Sequence, residues 1–287
     1  MVLNTYVYTG AGTITAVGGG VDERAFKIGD RVIALSDEWI VHKASNGMYQ
    51  RYASLGLGCV TKLPNTIDFT DGVVLPLGVF TATSMMFSPS NLDLSWPVGK
   101  DKSVVVAPEG KVKTGMEKQV VVVWGGSSSV GASAIQLARA AGYNVVSTAS
   151  ERNFGLVREC GANEVFDHKD DGVVDNVCKW VEGRELTLAG IADAISSDDT
   201  VNRCSAIAQR LEGNKFVSTS RATGVQPAPI VPERVKASTG EFCVCRKSDF
   251  ECLLTMRSSF GYQGARVAGV HLREMDVSCI RKWTIKV

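Results

Sequence analysis

Histidine is scarce. His42, His168 and His271 are the only three in 287 residues, and none neighbours a cysteine. A zinc site draws on three or four closely spaced His, Cys or acidic ligands. The eight cysteines do not supply that spacing: there is no CxxC, and Cys243 and Cys245, the closest pair, have one residue between them. Eight cysteines in a chain of this length also make a poor disulfide framework, so a reduced, cytoplasmic protein with no bound metal is expected. Net charge is almost nil, with 31 Lys and Arg against 30 Asp and Glu. No basic field for nucleic acid and no polybasic membrane patch follows from that balance. No apolar run reaches membrane-spanning length; the nearest, Val73 to Phe87, contains Pro76 and Gly78. The first residues carry no basic start followed by an apolar core, so no secretory signal is expected. Apolar residues make up 45% of the chain, enough for one large domain or two modest ones.

The chain changes character part-way along. "GTITAVGGGV" (Gly12 to Val21) alternates short β-formers and ends in three glycines. "FKIGDRVIAL" (Phe26 to Leu35) places Gly29-Asp30 before the apolar stretch Val32 to Leu35. That pair suits a tight reversal, because glycine tolerates positive φ and aspartate bonds its own backbone. "GMYQRYASL" (Gly47 to Leu55) and "CVTKLP" (Cys59 to Pro64) add two strands. Short strands with turn signals between them predict a small barrel or sandwich. A helix is expected from Thr70 onward, capped by Thr70 or Asp71, with Pro76 and Gly78 weakening it. Asn91 to Gly115 reads as loop and domain junction.

From Gln119 strands and helices alternate. Strands are expected at Gln119–Trp124, Asn144–Thr148, Glu164–Phe166, Ile191–Ile195 and Lys215–Thr219. Helices are expected at Val130–Ala141, Arg152–Cys160 and Thr200–Leu211, with Gly142, Gly161 and Gly213 as stop signals just beyond their ends. Continuous apolar strands alternating with helices predict an α/β fold, a doubly wound parallel sheet covered on both faces. Beyond about Val235 the period fades. The expected organisation is a partial β domain over 1–80, a nucleotide-binding domain over 81–235 and a divergent segment over 236–287.

The turn "GGSSSVG" (Gly125 to Gly131) follows the first of these strands and opens its helix. The dinucleotide fingerprint is G-x-G-x-x-G. Gly126 and Gly131 match its first and third glycines, and Ser128 stands at the second. Gly126 permits the tight turn, and Gly131 permits close packing of helix on strand. Backbone N–H groups near Ser129 and Val130 would face a pyrophosphate at the helix N-terminus. An NAD site carries an acid at the end of the second strand. Here Thr148 is the expected terminal residue, followed by Ser150 and Arg152, which favours the 2′-phosphate of NADPH. Glu151 leaves NADH open should the strand run three residues further.

Together these residues resemble the medium-chain dehydrogenase/reductase superfamily. "GTITAVGGGV...FKIGDRVIAL" resembles its barrel hairpin, "LPLGVFTATSMMF" its junction helix, and "WGGSSSVGASAIQLARAAGYNVVSTASERNF" with "LVRECGANEVFDHKD" its cofactor half. "IADAIS" and "NKFVSTS" resemble its fourth and fifth cofactor-domain strands. "WGGSSSVG" is similar to the zinc-independent fungal branch of trans-acting enoyl reductases and toxD-like proteins. The resemblance covers roughly Gly12 to Val235. It implies a Rossmann-type doubly wound sheet plus a partial GroES-like β-barrel domain. It further implies NADPH-dependent reduction of an activated C=C bond, with a small-molecule or carrier-bound acyl substrate, a polyketide synthase as partner, and a monomer or homodimer. Cofactor positions carry over as Thr81 on the nicotinamide side and Gly126, Ser127, Ser128, Ser129, Val130 and Gly131 on the pyrophosphate. Ser150, Arg152 and Asn153 carry over to the 2′-phosphate, and Ser196 and Ser220 to the cofactor groove.

Two departures stand against this pattern. Only eleven residues precede "GTITAVG", so no proton-donating tyrosine has a counterpart, and Tyr6, Tyr8, Tyr49 and Tyr52 read as packing in a β layer. The last fifty or so residues do not match the family's return to the barrel. A truncated or mis-spliced gene is expected to leave strand edges unpaired. Two alternatives stay open: a quinone or enone reductase on the same fold, and a nucleotide-binding remnant without turnover. A zinc alcohol dehydrogenase lacks its ligand constellation.

Overall fold

The structure is a computed structural model that describes residues 8–22, 24–38, 43–89, 91–97, 115–214, 216–220, 235–237 and 283–286. The chain divides into two compact units, with the break between Leu77 and Gly78. His42, Cys243, Cys245, Cys252, His271, Cys279 and Tyr6 lie outside the described residues, as does most of 236–287.

The first unit is an antiparallel sheet. Its strands are β1 (Thr9–Ala16), β2 (Arg31–Leu35), β3 (Tyr52–Leu55), β4 (Val60–Lys62) and, from the far end of the chain, β11 (Trp283–Lys286). Their order is β3-β11-β1-β2-β4. The Gly29-Asp30 reversal joins β1 to β2: Gly29 has φ +91, donates its N–H to Ile14 O at 2.9 Å, and Ile14 N–H returns to Asp30 O at 3.0 Å. Ile14, Phe26, Val32, Ala34, Ala53, Leu55 and Val60 form the core on one side. The Arg31 guanidinium donates to Pro64 O (3.0 Å) and Ile67 O (2.8 Å) and lies 4.4 Å from the Phe69 ring centroid. It thereby fixes the exit of the sheet.

The helix expected from Thr70 begins one residue earlier and comes in two pieces. α1 is Phe69–Gly72 with Asp68, not Thr70 or Asp71, at its N-cap, and α2 is Leu75–Phe87. Pro76 falls in the first turn of α2, where its missing N–H would have no intrahelical partner anyway. By length and composition Phe69–Phe87 could cross a membrane, but 56% of that window is buried inside the protein. Ala82, Met85 and Met86 have no exposure at all, as expected of a core helix.

The second unit is the parallel sheet. Its strands are β5 (Gln119–Trp124), β6 (Asn144–Ala149), β7 (Glu164–Asp167), β8 (Thr187–Asp193), β9 (Val217–Thr219) and β10 (Val235–Ala237), in the order β10-β9-β8-β5-β6-β7. With β5 taken as the first strand this is 3-2-1-4-5-6, the order of the doubly wound dinucleotide fold. The helices are α3 (Ser129–Ala140), α4 (Phe154–Glu159), α5 (Val173–Glu182) and α6 (Asp198–Arg210). Gly142 (φ +90) and Gly161 (φ +111) end α3 and α4 in the same way. Gly142 and Gly161 donate to Arg139 O and Arg158 O, while Tyr143 and Ala162 donate to Ala138 O and Val157 O. These paired bonds are the Schellman stop, which glycine supplies because it adopts positive φ without strain. The helices expected from the sequence include none between β7 and β8. α5 occupies that crossover and buries Val173, Val177, Cys178 and Val181 as one stripe against the sheet.

Candidate nucleotide site at the strand ends

In a doubly wound sheet the strand order reverses between two neighbouring strands, and a crevice opens beyond their C-terminal ends. Here those strands are β5 and β8, paired from Gln119↔Thr187 to Trp124↔Asp193. The chain leaves β5 through Gly125 (φ +78) and Gly126. Both glycines are tied to the end of β6: Gly125 N–H donates to Thr148 Oγ1 (3.1 Å) and Gly126 N–H to Thr148 O (2.8 Å). A Cβ on Gly126 would collide with Ser147 Oγ, and a Cβ on Gly131 would collide with the Gly125 carbonyl. The two glycines of the degenerate fingerprint are thus required by close approach.

Ser128 differs from the glycine usual at its position, and its side chain is used inside the turn. Its Oγ donates to Gly125 O (2.8 Å) and accepts from Gly131 N–H (3.0 Å), which makes it the N-cap of α3. Together with Ser128 N–H to Gly125 O and Ala132 N–H to Ser128 O, these bonds account for the N–H groups of Gly125, Gly126, Ser128, Gly131 and Ala132. Ser127, Ser129 and Val130 keep backbone N–H groups with no acceptor among the described residues. Three N–H groups beside the positive end of a twelve-residue helix form an anion-binding arrangement.

Thr81 reaches this region through α2. A Cβ on Gly78 would collide with Ser129 Oγ, so α2 runs against the start of α3 at Gly78. Thr81, one helical turn on, shares that face. Gly78, which weakens the helix as a sequence signal, is the residue that permits the contact.

β6 ends at Ala149, one residue beyond the expected Thr148, and Thr148 itself is fully buried. Ser150 is therefore the first residue outside the strand, and a 3-10 turn Glu151–Asn153 precedes α4 where one continuous helix from Arg152 was expected. Ser150 and Asn153 are half-buried; Glu151 and Arg152 are exposed. Arg152 makes no ion pair among the described residues. His168, just past β7, donates its backbone N–H to Ala149 O (3.2 Å), which sets it beside Ser150.

Ser196 and Ser220 come together at the ends of β8 and β9. Ser196 Oγ donates to Asp193 O (3.0 Å) and accepts from Ser220 N–H (2.8 Å), and the two hydroxyl oxygens lie 3.0 Å apart. Ser196 is 2% exposed, so it shapes the rim from within. Two residues the sequence reading passed over complete this loop. Asp193 is fully buried at the end of β8, and Ile195, 50% exposed, lies so that a Cβ on Gly125 would stand 2.6 Å from its Cγ1. An acid closing a buried apolar strand was the available signal for Asp193. Burial pushes the Cys160, Cys178 and Cys204 thiols up, Cys204 furthest, with the Asp193 charge adding to burial there. Among the described residues no group of three or more His, Cys, Asp or Glu is placed to hold a metal ion.

No protein-family model matches the chain. It is 38% identical over 203 residues to the trans-enoyl reductase himH of Aspergillus japonicus, a match covering 71% of this chain and 53% of that protein. It is 36% identical over 239 residues to the dehydrogenase orsE of Emericella nidulans, covering 79% and 63%. Among solved structures, an alcohol dehydrogenase superfamily protein from Novosphingobium aromaticivorans superposes with a TM-score of 0.63 at 19% identity, covering 98% of this chain and 81% of that one. A mycobacterial protein complexed with NADPH gives 0.60 at 20% identity, covering 91% and 73%. The chain is similar in sequence to fungal reductases and dehydrogenases, and its fold is that of the medium-chain dehydrogenase/reductase structures. Proteins of that fold combine a Rossmann domain with a GroES-like domain, and the parallel and antiparallel sheets correspond to these. Its curated relatives include fungal trans-enoyl reductases and dehydrogenases. The chain spans 53% and 63% of the length of the two relatives named.

Proposed function

We propose that the protein is a zinc-independent, NADPH-dependent oxidoreductase that reduces an activated C=C bond in an enoyl thioester or enone. The observation that carries this reading is the set of Ser127, Ser129 and Val130 N–H groups at the strand-order reversal that have no acceptor among the described residues. A turn of that form suits a pyrophosphate, and the collisions awaiting any Cβ at Gly126 or Gly131 fit the fingerprint of a dinucleotide cradle. In this reading Gly126 to Gly131 hold the pyrophosphate, and Thr81 orients the nicotinamide side from α2. Ile195 supplies an apolar wall over Gly125. Ser150, Arg152 and Asn153 receive the 2′-phosphate, with His168 alongside; the exposed guanidinium of Arg152, which has no ion pair among the described residues, suits bidentate phosphate binding. When bound, the nicotinamide supplies a hydride to the carbon β to the carbonyl. The chain's part is to orient both reactants and keep their charges in a shaped, partly dry crevice.

The division of labour follows the two units. The parallel sheet, with 81–235 as its span, is assigned the cofactor, and the antiparallel sheet, with 1–80, the substrate side. The name of the trans-enoyl reductase relative fits an enoyl substrate, and in this reading a polyketide synthase delivers it as a carrier-bound acyl group. The experiment is a titration of the purified chain with NADPH and NADH, followed by turnover with an enoyl thioester, an enone and a quinone. Tight NADPH and weak NADH binding, with thioester or enone reduction, is the expected result. Quinone turnover alone moves the assignment to a quinone reductase. Binding without turnover reduces it to a nucleotide-binding remnant, and no binding overturns it.

A further inference from the structure

Ser196 has φ +58, a left-handed conformation that residues with a Cβ rarely adopt. It sits in the loop after β8, on the rim of the candidate crevice, so something must hold it there. The buried carboxylate of Asp193 is in position to do so. Its Oδ1 accepts from both Ile195 N–H (3.0 Å) and Ser196 N–H (3.0 Å). Its Oδ2 accepts from Thr200 Oγ1 at 2.7 Å. Thr200 is itself locked to Ser197 by the reciprocal capping box that opens α6. Ala194 N–H donates to Trp124 O (3.1 Å), which binds the loop to the end of β5.

The geometry points to Asp193 as a positioning residue for the nucleotide crevice. It clamps the Ala194–Ser197 loop so that Ile195 lies on Gly125 and the Ser196 hydroxyl bridges β8 to Ser220. This rests on the reading that the crevice takes NADPH. The carboxylate is suited to the task because one oxygen accepts from two backbone donors while the other accepts from the Thr200 hydroxyl. An amide cannot do the same. In Asp193→Asn the NH2 would face Thr200 Oγ1, a hydroxyl that already accepts from Ser197 N–H and Ser197 Oγ.

The test compares wild type, Asp193→Asn, Thr200→Val and Thr200→Ser as full chains. Amide hydrogen exchange without cofactor is read at Ile195, Ser196 and the β5 core residues Val121 to Val123. NADPH titration is read by fluorescence. Asp193→Asn is expected to speed exchange at Ile195 and Ser196 and leave Val121 to Val123 protected. Its NADPH Kd should rise by on the order of tenfold, the usual effect of losing a charge-assisted hydrogen bond. Thr200→Val should move both readings the same way by less, and Thr200→Ser, which keeps the hydroxyl, should restore them. Unchanged exchange at Ile195 and Ser196 overturns the clamp. A loosened loop with unchanged NADPH affinity overturns its role in the crevice, and so does a Thr200→Ser as weak as Thr200→Val. If Asp193→Asn fails to fold, the Thr200 pair decides the matter. A wild-type chain that does not bind NADPH overturns the cofactor reading, while exchange still decides the clamp.

Discussion

Individual residues at the glycine turn do separable things. Gly131→Ala drives a Cβ into the Gly125 carbonyl, which belongs to a turn held at both ends and cannot give way. Overpacking of this kind costs about 1–3 kcal/mol, and urea unfolding should show that loss together with abolished NADPH binding. Arg152→Ala removes an exposed charge that packs against nothing essential, so stability should hold. Its NADPH Kd should rise roughly tenfold or more while NADH affinity stays put, since one charge-assisted contact to phosphate is lost; parallel titrations with both cofactors measure it. Cys204, buried and with its thiol pushed up, should resist iodoacetamide in the native chain and react only on unfolding, as mass spectrometry of the alkylated peptide would show.

Elements depend on caps and close approaches that are local in sequence but tertiary in consequence. Ser128→Ala deletes the N-cap of α3 and should cost about 1 kcal/mol in a denaturant melt. The same change frees Gly131 N–H, which lies next to the three that have no acceptor among the described residues. The α3 and α4 stops at Gly142 and Gly161 were legible in advance because a Schellman end is written in a single glycine. α5 was equally available, as its stripe Val173, Val177, Cys178, Val181 has helical spacing. The role of Gly78 could not be read beforehand. Its meaning lies in a contact with Ser129, fifty-one residues away, whereas within its own helix glycine is only unfavourable.

The whole chain brings together parts distant in sequence. Among the described strands β3 joins the antiparallel sheet through β11, which pairs Trp283 to Lys286 with Leu55 to Tyr52 on one side and Thr284 to Lys286 with Ala16 to Thr13 on the other. Removing 283–286 should uncover edges on both β1 and β3, with increased aggregation by light scattering. Acid acts on the same unit through Asp30. Burial alone would raise its pKa, but the Lys62 ammonium at 3.0 Å and the Lys27 backbone N–H outweigh it, and the net shift is downward. A lowered carboxyl stabilises the fold above its ordinary value of about 4 and loses that contribution as pH falls through its folded value. Melts of wild type and Lys62→Met should therefore differ at neutral pH and converge in strong acid.

The periodicity of valine-rich strands and glycine-stopped helices was enough to specify a doubly wound sheet, and "GGSSSVG" enough to locate the glycine turn between its first strand and helix. Both are written in residues near one another in the chain, where backbone sterics and burial act directly. The tie of Gly125 and Gly126 to Thr148, the approach of α2 at Gly78 and the bridge from Ser196 to Ser220 were fixed by folding alone. Each depends on which buried polar atom or missing Cβ meets which partner across the sheet, and no spacing along the chain encodes that meeting.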